Sequence, residues 1–372
     1  MKYYIIAGEA SGDLHGGSLI EALRGKDPEA AVRCWGGDRM QAAGADLVMH
    51  YRNLAFMGFA EVLRNLRRIL RNLRFCREDI LRFQPDVLVL IDYPGFNLRI
   101  ARWAHKQGIR VVYYISPQVW AWKESRVKQM KKCIDRMIVI LPFEKDYYAK
   151  RWSWDVTYAG HPLIEVVNAY REKVTNADRI EFSDKPVIAL LPGSRRQEVL
   201  KKLPVMLAVS RHFPAYRFVV ARAPGLDESF YHDMLSPFPG VTAVSGNTYE
   251  LLARAKAALV TSGTATLETA LFGVPQVVCY KSSWLSYQIG KRLVKVKYIS
   301  LVNLIMDKPV VPELIQQHLT EERVEQELRA LLEDPDRRSG MQADYATLWN
   351  KLRTSGSAAE RAAGVILDRL AK

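Results

Sequence analysis

Short, nearly continuous apolar runs alternate with longer helical patterns along this chain, and that alternation leaves few folds open. Tyr3–Ala7, Asp86–Ile91, Arg110–Ile115 and Arg136–Leu141 are β-branched or aromatic almost throughout, as strands covered on both faces tend to be. Helical periodicity separates them, as in Gly17–Arg24 and Asn97–Lys106. Strand–helix–strand repetition predicts parallel sheets with helices on both faces.

The pattern then restarts. After a charged stretch, Glu165–Asp184, further strands are expected at Pro186–Leu191, Arg217–Ala221, Val241–Val244, Ala257–Val260 and Gln276–Tyr280. A length of 372 residues suits two domains. The expected division is 1–165 and 166–345, with 346–372 as a tail. Ser355–Leu370 reads there as one amphipathic helix that packs back on the first domain. No repeat of solenoid length and no low-complexity tract is present.

Composition narrows the class. Hydrophobic residues make up 49% and charged residues 25%, which excludes disorder as the main state. Lys plus Arg outnumber Asp plus Glu by 54 to 40, a net charge of +14 that suits a polyanionic partner: nucleic acid, anionic lipid or a phosphorylated substrate. The four cysteines, Cys34, Cys76, Cys133 and Cys279, form no CxxC motif, and a reducing compartment is expected. Glu9 interrupts the first apolar run too early for a signal peptide, and no run reaches the ~20 apolar residues of a spanning helix.

In parallel α/β sheets the chemistry follows the carboxyl ends of the strands. The first run ends in Ala7-Gly8-Glu9-Ala10-Ser11-Gly12-Asp13. This is not the GxGxxG dinucleotide fingerprint, and its acids suit a hydroxyl-rich ligand better than a pyrophosphate; a plain capped turn is the bland alternative. Asp92 directly follows Leu88–Ile91 and is placed to act as a general base on a hydroxyl, or simply to cap the next helix. Trp120 and Trp122, after the Ser116-Pro117 turn, form an aromatic wall for sugars, bases or apolar chains, or pack between domains. His161, between Gly160 and Pro162, reads more readily as structural than as catalytic. In the second half, Gly193-Ser194-Arg195 offers backbone N–H groups, a hydroxyl and a guanidinium to a diphosphate. It is not a Walker A loop. Ser262-Gly263-Thr264 leads into a helix carrying Glu268, a pattern suited to phosphate at the helix start and ribose at the acid.

Taken together, AGEASGD at 7–13, the Asp92 loop, PQVWAW at 117–122, LPFE at 141–144, GHP at 160–162, LPGSR at 191–195, SGTATLE at 262–268 and YISLVNLI at 298–305 resemble lipid-A-disaccharide synthases. The resemblance runs in one order over nearly the whole chain. LPGSR and SGTATLE are shared with other nucleotide-sugar glycosyltransferases, whereas the first, the Trp-bearing and the Asn303 segments are specific. Gln118 departs from the Ser or Thr often found there.

The resemblance implies an α/β fold of GT-B type, two Rossmann-like domains facing across a cleft. It implies transfer from UDP-2,3-diacylglucosamine to 2,3-diacylglucosamine 1-phosphate (lipid X), giving the β-1,6 lipid A disaccharide 1-phosphate and UDP. By the same carry-over Asp92 is the general base, with Glu9 and Asp13 as open alternatives. Glu9 and Ser11 match positions important for activity. Arg195 holds the diphosphate, Glu268 the ribose and Asn303 the donor side, with Gly193, Ser194, Ser262, Gly263 and Thr264 among the positions that bind the UDP-sugar. No metal or other cofactor is expected. The implied location is the cytoplasmic face of a Gram-negative inner membrane, with a homodimer left open and no nucleic-acid partner.

Two basic segments fit an anionic membrane surface. In 56–83, Val62, Leu66, Ile69, Leu73, Cys76, Ile80 and Phe83 form one helical stripe among seven arginines, preceded by Phe56, Met57 and Phe59. A core-facing helix with a solvated Arg face explains the same stripe. In 284–297, Trp284, Leu285, Tyr287, Ile289 and Leu293 mix with four Lys or Arg. A UDP-N-acetylglucosamine 2-epimerase on the same fold, and a basic nucleic-acid-binding protein without catalysis, are the competing readings.

Overall fold

A computed structural model describes residues 1–54, 66–173, 184–223, 225–283, 287–288, 290, 292 and 296–370. Contacts divide these into two units, 1–162 with 353–372, and 163–352. The sequence put the divisions at 165 and 345.

The first unit runs β1 (Lys2–Ala7), α1 (Ala10–Lys26), β2 (Ala31–Gly36), α2 (Asp38–Ala42), β3 (Asp46–His50), α3 (Leu66–Phe83), β4 (Val87–Ile91), α4 (Pro94–Lys106), β5 (Val111–Tyr114), α5 (Val127–Cys133), β6 (Arg136–Val139), α6 (Pro142–Trp152) and β7 (Thr157–Tyr158). All seven strands are parallel, in the order β3-β2-β1-β4-β5-β6-β7. The chain walks outward from β1 to β3, returns to β4 and walks the other way. β1 and β4 thus flank the point where strand order reverses, the usual place for a ligand in such sheets. Ala7 pairs with Ile91 and Ile91 with Tyr114, so the loops after β1, β4 and β5 leave the sheet at one level.

Alternate strand residues enter two cores, as the two-residue period requires. Tyr4, Ile6, Leu88, Leu90 and Tyr113 face one; Tyr3, Ile5, Val89, Ile91 and Val112 face the other. The first core is covered by Leu73, Cys76 and Ile80 of α3. This corrects the membrane reading of that stripe: its described residues cover the sheet, because a parallel sheet must bury both faces and no other surface of α3 is continuously apolar. Phe56, Met57, Phe59 and Val62 lie outside the described residues. α3 is also fastened by charge. Arg33 of β2 donates from Nε and Nη2 to the two oxygens of buried Asp79, each at 2.9 Å, and Tyr4 donates its hydroxyl to Asp79 Oδ2 at 2.7 Å.

The second unit runs α7 (Leu163–Lys173), β8 (Val187–Leu191), α8 (Arg196–Val209), β9 (Arg217–Arg222), α9 (Glu228–Leu235), β10 (Val241–Ser245), α10 (Thr248–Arg254), β11 (Ala255–Thr261), α11 (Thr264–Leu271), β12 (Gln276–Tyr280), α12 (Leu301–Met306), β13 (Glu313–Ile315), α13 (Glu321–Glu333) and α14 (Pro335–Leu352). Its six parallel strands are ordered β10-β9-β8-β11-β12-β13, with the reversal between β8 and β11. α15 (Ala358–Leu370) then rejoins the first unit, where Ala358, Ala362, Ala363 and Ile366 share a core with Leu19, Ile20 and Leu23 of α1. Among the described residues no helix is long and apolar enough to cross a membrane.

Candidate active site

The first loop is shorter than its sequence suggests. α1 begins at Ala10 with Glu9 as its extended N-cap, seven residues before the expected start, so Ser11 sits exposed in the first helical turn. Glycines at 12, 16 and 17 mask the helical signal there, yet packing holds them in the helix. Asp13 is 4% exposed and accepts from the backbone N–H groups of Gly37, Arg39 and Met40 at 2.7, 3.1 and 3.1 Å. It caps α2, which commits it to structure and removes it from the candidates for a base. Gly8 serves a close approach: a Cβ there would meet the Tyr93 ring at 2.3 Å.

Asp92 follows the last residue of β4 in left-handed conformation (φ 43°), as does Tyr93 (φ 48°). Each such residue with a Cβ costs roughly 1–2 kcal/mol, and the surroundings hold them there. Asn97 donates from Nδ2 to the carbonyls of Ile91 and Asp92 at 3.2 and 2.8 Å, and Tyr113 donates its hydroxyl to the Asp92 carbonyl. Tyr93, not Asp92, is the N-cap of α4, so simple capping does not explain the acid. Burial and then the nearby Glu9 carboxylate push the Asp92 carboxyl up to about 6, against a lowering by the Tyr93 backbone N–H. At neutral pH it is ionised but basic, the state a general base needs.

The LPFE segment supplies a second buried acid. Glu144, in the first turn of α6, is 1% exposed and accepts from Trp120 Nε1 and the Leu141 N–H, both at 3.1 Å. Burial pushes its carboxyl up to about 8. Trp120 therefore anchors the PQVWAW turn from within: its ring also meets Phe143 edge-on at 4.9 Å. Trp122 is 41% exposed with Lys123 Nζ 4.3 Å from its ring centre, and is the half of the aromatic wall open to a ligand. His161 is buried, and burial followed by the neighbouring His15 pulls its imidazole down to about 3, so it stays neutral.

In the second unit, Leu191 at the end of β8 pairs with Val260 of β11, which brings the two nucleotide motifs together at the strand reversal. Gly193 is left-handed (φ 118°), and a Cβ there would meet Glu198 Oε2 at 2.6 Å. Ser194 and Arg195 are exposed at the start of α8, with Arg195 Nη1 3.5 Å from Glu198 Oε1. Ser262 donates to the Ile299 carbonyl at 2.7 Å, and Gly263 and Thr264 are exposed at the start of α11. Glu268 accepts from the Tyr249 hydroxyl at 3.2 Å, and burial raises its carboxyl above the ordinary range.

Asn303 belongs to the turn that Ser262 bonds. It is 1% exposed, donates from Nδ2 to the Val311 carbonyl and to Glu313 Oε1, and accepts from the Val311 N–H, each at 2.9 Å. Glu313 in turn accepts from the backbone N–H groups of Ile299 and Ser300. Asn303 is a clamp that shapes the YISLVNLI turn. No group of three or more His, Cys, Asp or Glu placed to hold a metal ion occurs among the described residues. Of the second basic segment, Trp284, Leu285, Ile289 and Leu293 lie outside the described residues.

Comparison with known proteins gives the fold and the family. Among solved structures, UDP-GlcNAc 2-epimerase from Neisseria meningitidis matches with a TM-score of 0.69 and 14% identity over 100% of each chain. CalG4, the calicheamicin glycosyltransferase, matches at 0.62 and 18%, over 100% of this chain and 99% of that one. These show the fold, two Rossmann-like units of GT-B type, which epimerases and glycosyltransferases share. Sequence separates the two. The lipid-A-disaccharide synthase of Syntrophus aciditrophicus is 44% identical over 99% of this chain and 97% of its own. That of Geobacter sulfurreducens is 39% identical over 100% and 98%. With a family model described as lipid-A-disaccharide synthetase matching residues 3–366, the chain belongs to that family of glycosyltransferases, which form the lipid A disaccharide.

Proposed function

We propose that the chain transfers a 2,3-diacylglucosamine unit from its UDP-activated form to the 6-hydroxyl of 2,3-diacylglucosamine 1-phosphate, with Asp92 as the general base. The Asp92 carboxylate takes the hydroxyl proton as that oxygen attacks the anomeric carbon of the donor. The bond from the anomeric carbon to the diphosphate breaks, and UDP leaves with the electron pair. Arg195 and the N-termini of α8 and α11 stabilise the leaving charge without a metal or other cofactor. Gly193 and Ser194 bring backbone N–H groups and a hydroxyl to the diphosphate. Ser262, Gly263 and Thr264 present the start of α11 to phosphate, and Glu268 accepts from the ribose. Glu9 keeps Asp92 basic by charge repulsion, and Ser11 offers a hydroxyl to the acceptor sugar. Asn303 acts through the turn it clamps.

The observation that carries this reading is Asp92 itself: half-buried at the strand reversal, in a strained backbone, with its carboxyl raised to about 6. The test is a mass-resolved assay in mixed micelles without added metal. Wild type yields a disaccharide 1-phosphate and UDP. Asp92→Asn lowers kcat by at least about 100-fold while UDP affinity holds within about twofold. Turnover that survives the substitution removes Asp92 as the base.

Both substrates are anionic amphiphiles, which supports work at a membrane surface of like composition. Exposed apolar side chains flanking the buried stripe of α3 support it too: Leu70 and Leu81 on one side and Phe75 on the other, among Arg67, Arg71 and Arg74.

A further inference from the structure

Beneath the Gly193–Arg195 turn lies a buried cation that neither the motifs nor the reaction accounts for. Lys202, in the second turn of α8, is 3% exposed. Its ammonium donates to Thr261 Oγ1 and stands 3.9 Å from Glu198 Oε2. Thr261 closes β11 and opens the turn into α11. Glu198 is the acid that sits 3.5 Å from Arg195 and against Gly193. One side chain therefore joins the loop after β8 to the loop after β11.

The charge around it does not balance. The groups that face Lys202 are Glu198, Arg195 and Lys201 at the start of α8, and Cys279 of β12. Burial pushes the Cys279 thiol up to about 12, so it is neutral at ordinary pH. Two cations, Lys202 and Arg195, share the Glu198 carboxylate, and Lys201 adds to the excess. Burial, the largest influence, pulls the Lys202 ammonium below its ordinary range. A buried ion is costly unless closely paired, and 3.9 Å to a shared carboxylate is partial pairing. The missing negative charge is what an anion at this turn would bring.

We propose that Lys202 is a positioning residue of the diphosphate site, holding the β8 and β11 loops together and carrying buried positive charge that a nucleoside diphosphate neutralises and a nucleoside does not. The proposal rests on the reading that UDP occupies these loops. Because the anion favours the protonated ammonium, affinity is highest while Lys202 is charged and falls as pH rises through its titration.

The test is calorimetric titration of the full chain with UDP and with uridine at pH 7.5–10, for wild type, Lys202→Met and Arg195→Ala. The wild-type ratio of UDP to uridine affinity should fall across that range as Lys202 loses its proton, the uridine arm removing the shared effect of ionising the uracil base. Lys202→Met should bind UDP about tenfold more weakly at pH 7.5 and lose the pH slope, whereas Arg195→Ala should bind weakly and keep it. Weaker binding with the slope intact marks ordinary packing and overturns the proposal, as does wild-type affinity in Lys202→Met. If Lys202→Met does not fold, Thr261→Val and the wild-type profile decide: unchanged UDP affinity in the first, or a flat line in the second, overturns it. Wild type that does not bind UDP, or binding indifferent to Arg195→Ala, removes the nucleotide-site reading instead.

Discussion

At Asp92 one physical cause has two opposite effects of pH. Its carboxyl is raised from an ordinary 3.8 to about 6, chiefly by burial and then by Glu9. As a base it works ionised, so kcat/KM should rise through pH 6 and level off above it. Stability runs the other way. A raised folded-state pKa contributes stability that is full below the unfolded value and is lost as pH climbs through about 6. Asp92→Asn abolishes that loss and keeps a side chain tolerant of left-handed backbone. It should therefore melt above wild type at pH 7.5, by up to about 3 kcal/mol of stability, with the gain vanishing near pH 4. A gain independent of pH would refute this account. Glu144 follows the same sign over pH 4.5–8, but it also serves two donors. Glu144→Gln keeps an acceptor for Trp120, whereas Glu144→Ala leaves Trp120 Nε1 and the Leu141 N–H without one, at about 1–3 kcal/mol each. The alanine variant should melt below the glutamine variant throughout pH 6–8 in thermal scans followed by circular dichroism.

At the scale of elements, what was legible in the sequence was what burial writes into it. The central strands β1, β4, β5, β8 and β11 are covered on both faces and read as apolar runs; the ends of β1, β4, β8 and β11 lead to Glu9, Asp92, Arg195 and Thr264. Of the edge strands, β10 was legible at Val241–Val244, whereas β3, β7 and β13 were not. β3 (DLVMH) and the two residues of β7 are too mixed or too short, and Arg33 in β2 breaks the apolar pattern because its partner, Asp79, comes from α3, 46 residues away. The setting of Asp13 and Glu144 is not legible for a like reason: Asp13 accepts from the turn before α2, and Glu144 from Trp120 as well as from its own helix's Leu141. α3 shows the limit of periodicity most clearly. A stripe at spacings of three and four announces an apolar face but not its partner, and here the described part of it covers the sheet. If the chain binds anionic membranes through α3, it does so with the exposed side chains that flank the stripe. Changing Leu70, Phe75 and Leu81 together to Gln should then cut co-sedimentation with anionic vesicles several-fold at high salt while leaving the melting temperature within a degree or two. Leu73→Ala, facing inward, should instead cost about 2–5 kcal/mol of stability and leave vesicle binding alone. Retained binding in the triple variant would rule out these side chains.

At the scale of the whole molecule, the chain closes its first unit only after completing its second. Residues 163–352 are inserted between β7 and α15, and α15 returns Ala358, Ala362, Ala363 and Ile366 to a core begun by β1 and α1. Leu19, Ile20 and Leu23 of α1 are fully buried and share their core with α15. The return is fastened at its entry, where Thr354 Oγ1 donates to the Ala159 carbonyl at 3.4 Å and Ser357 Oγ accepts from the Glu360 N–H at 2.9 Å. A chain ending at Leu352 should therefore lose stability in the first unit alone. Hydrogen exchange should show amides of β1 and α1 exchanging orders of magnitude faster than in the full chain, while those of β8 and β11 keep their protection. UDP affinity should persist, because the groups proposed to bind it lie within 163–352, whereas turnover should fall with the loosened Asp92 loop. Ile366→Ala is the milder version, expected to cost about 2–5 kcal/mol with the same asymmetry between units. Equal loosening of both units, or none, would mean that α15 is not the closing element of the first core.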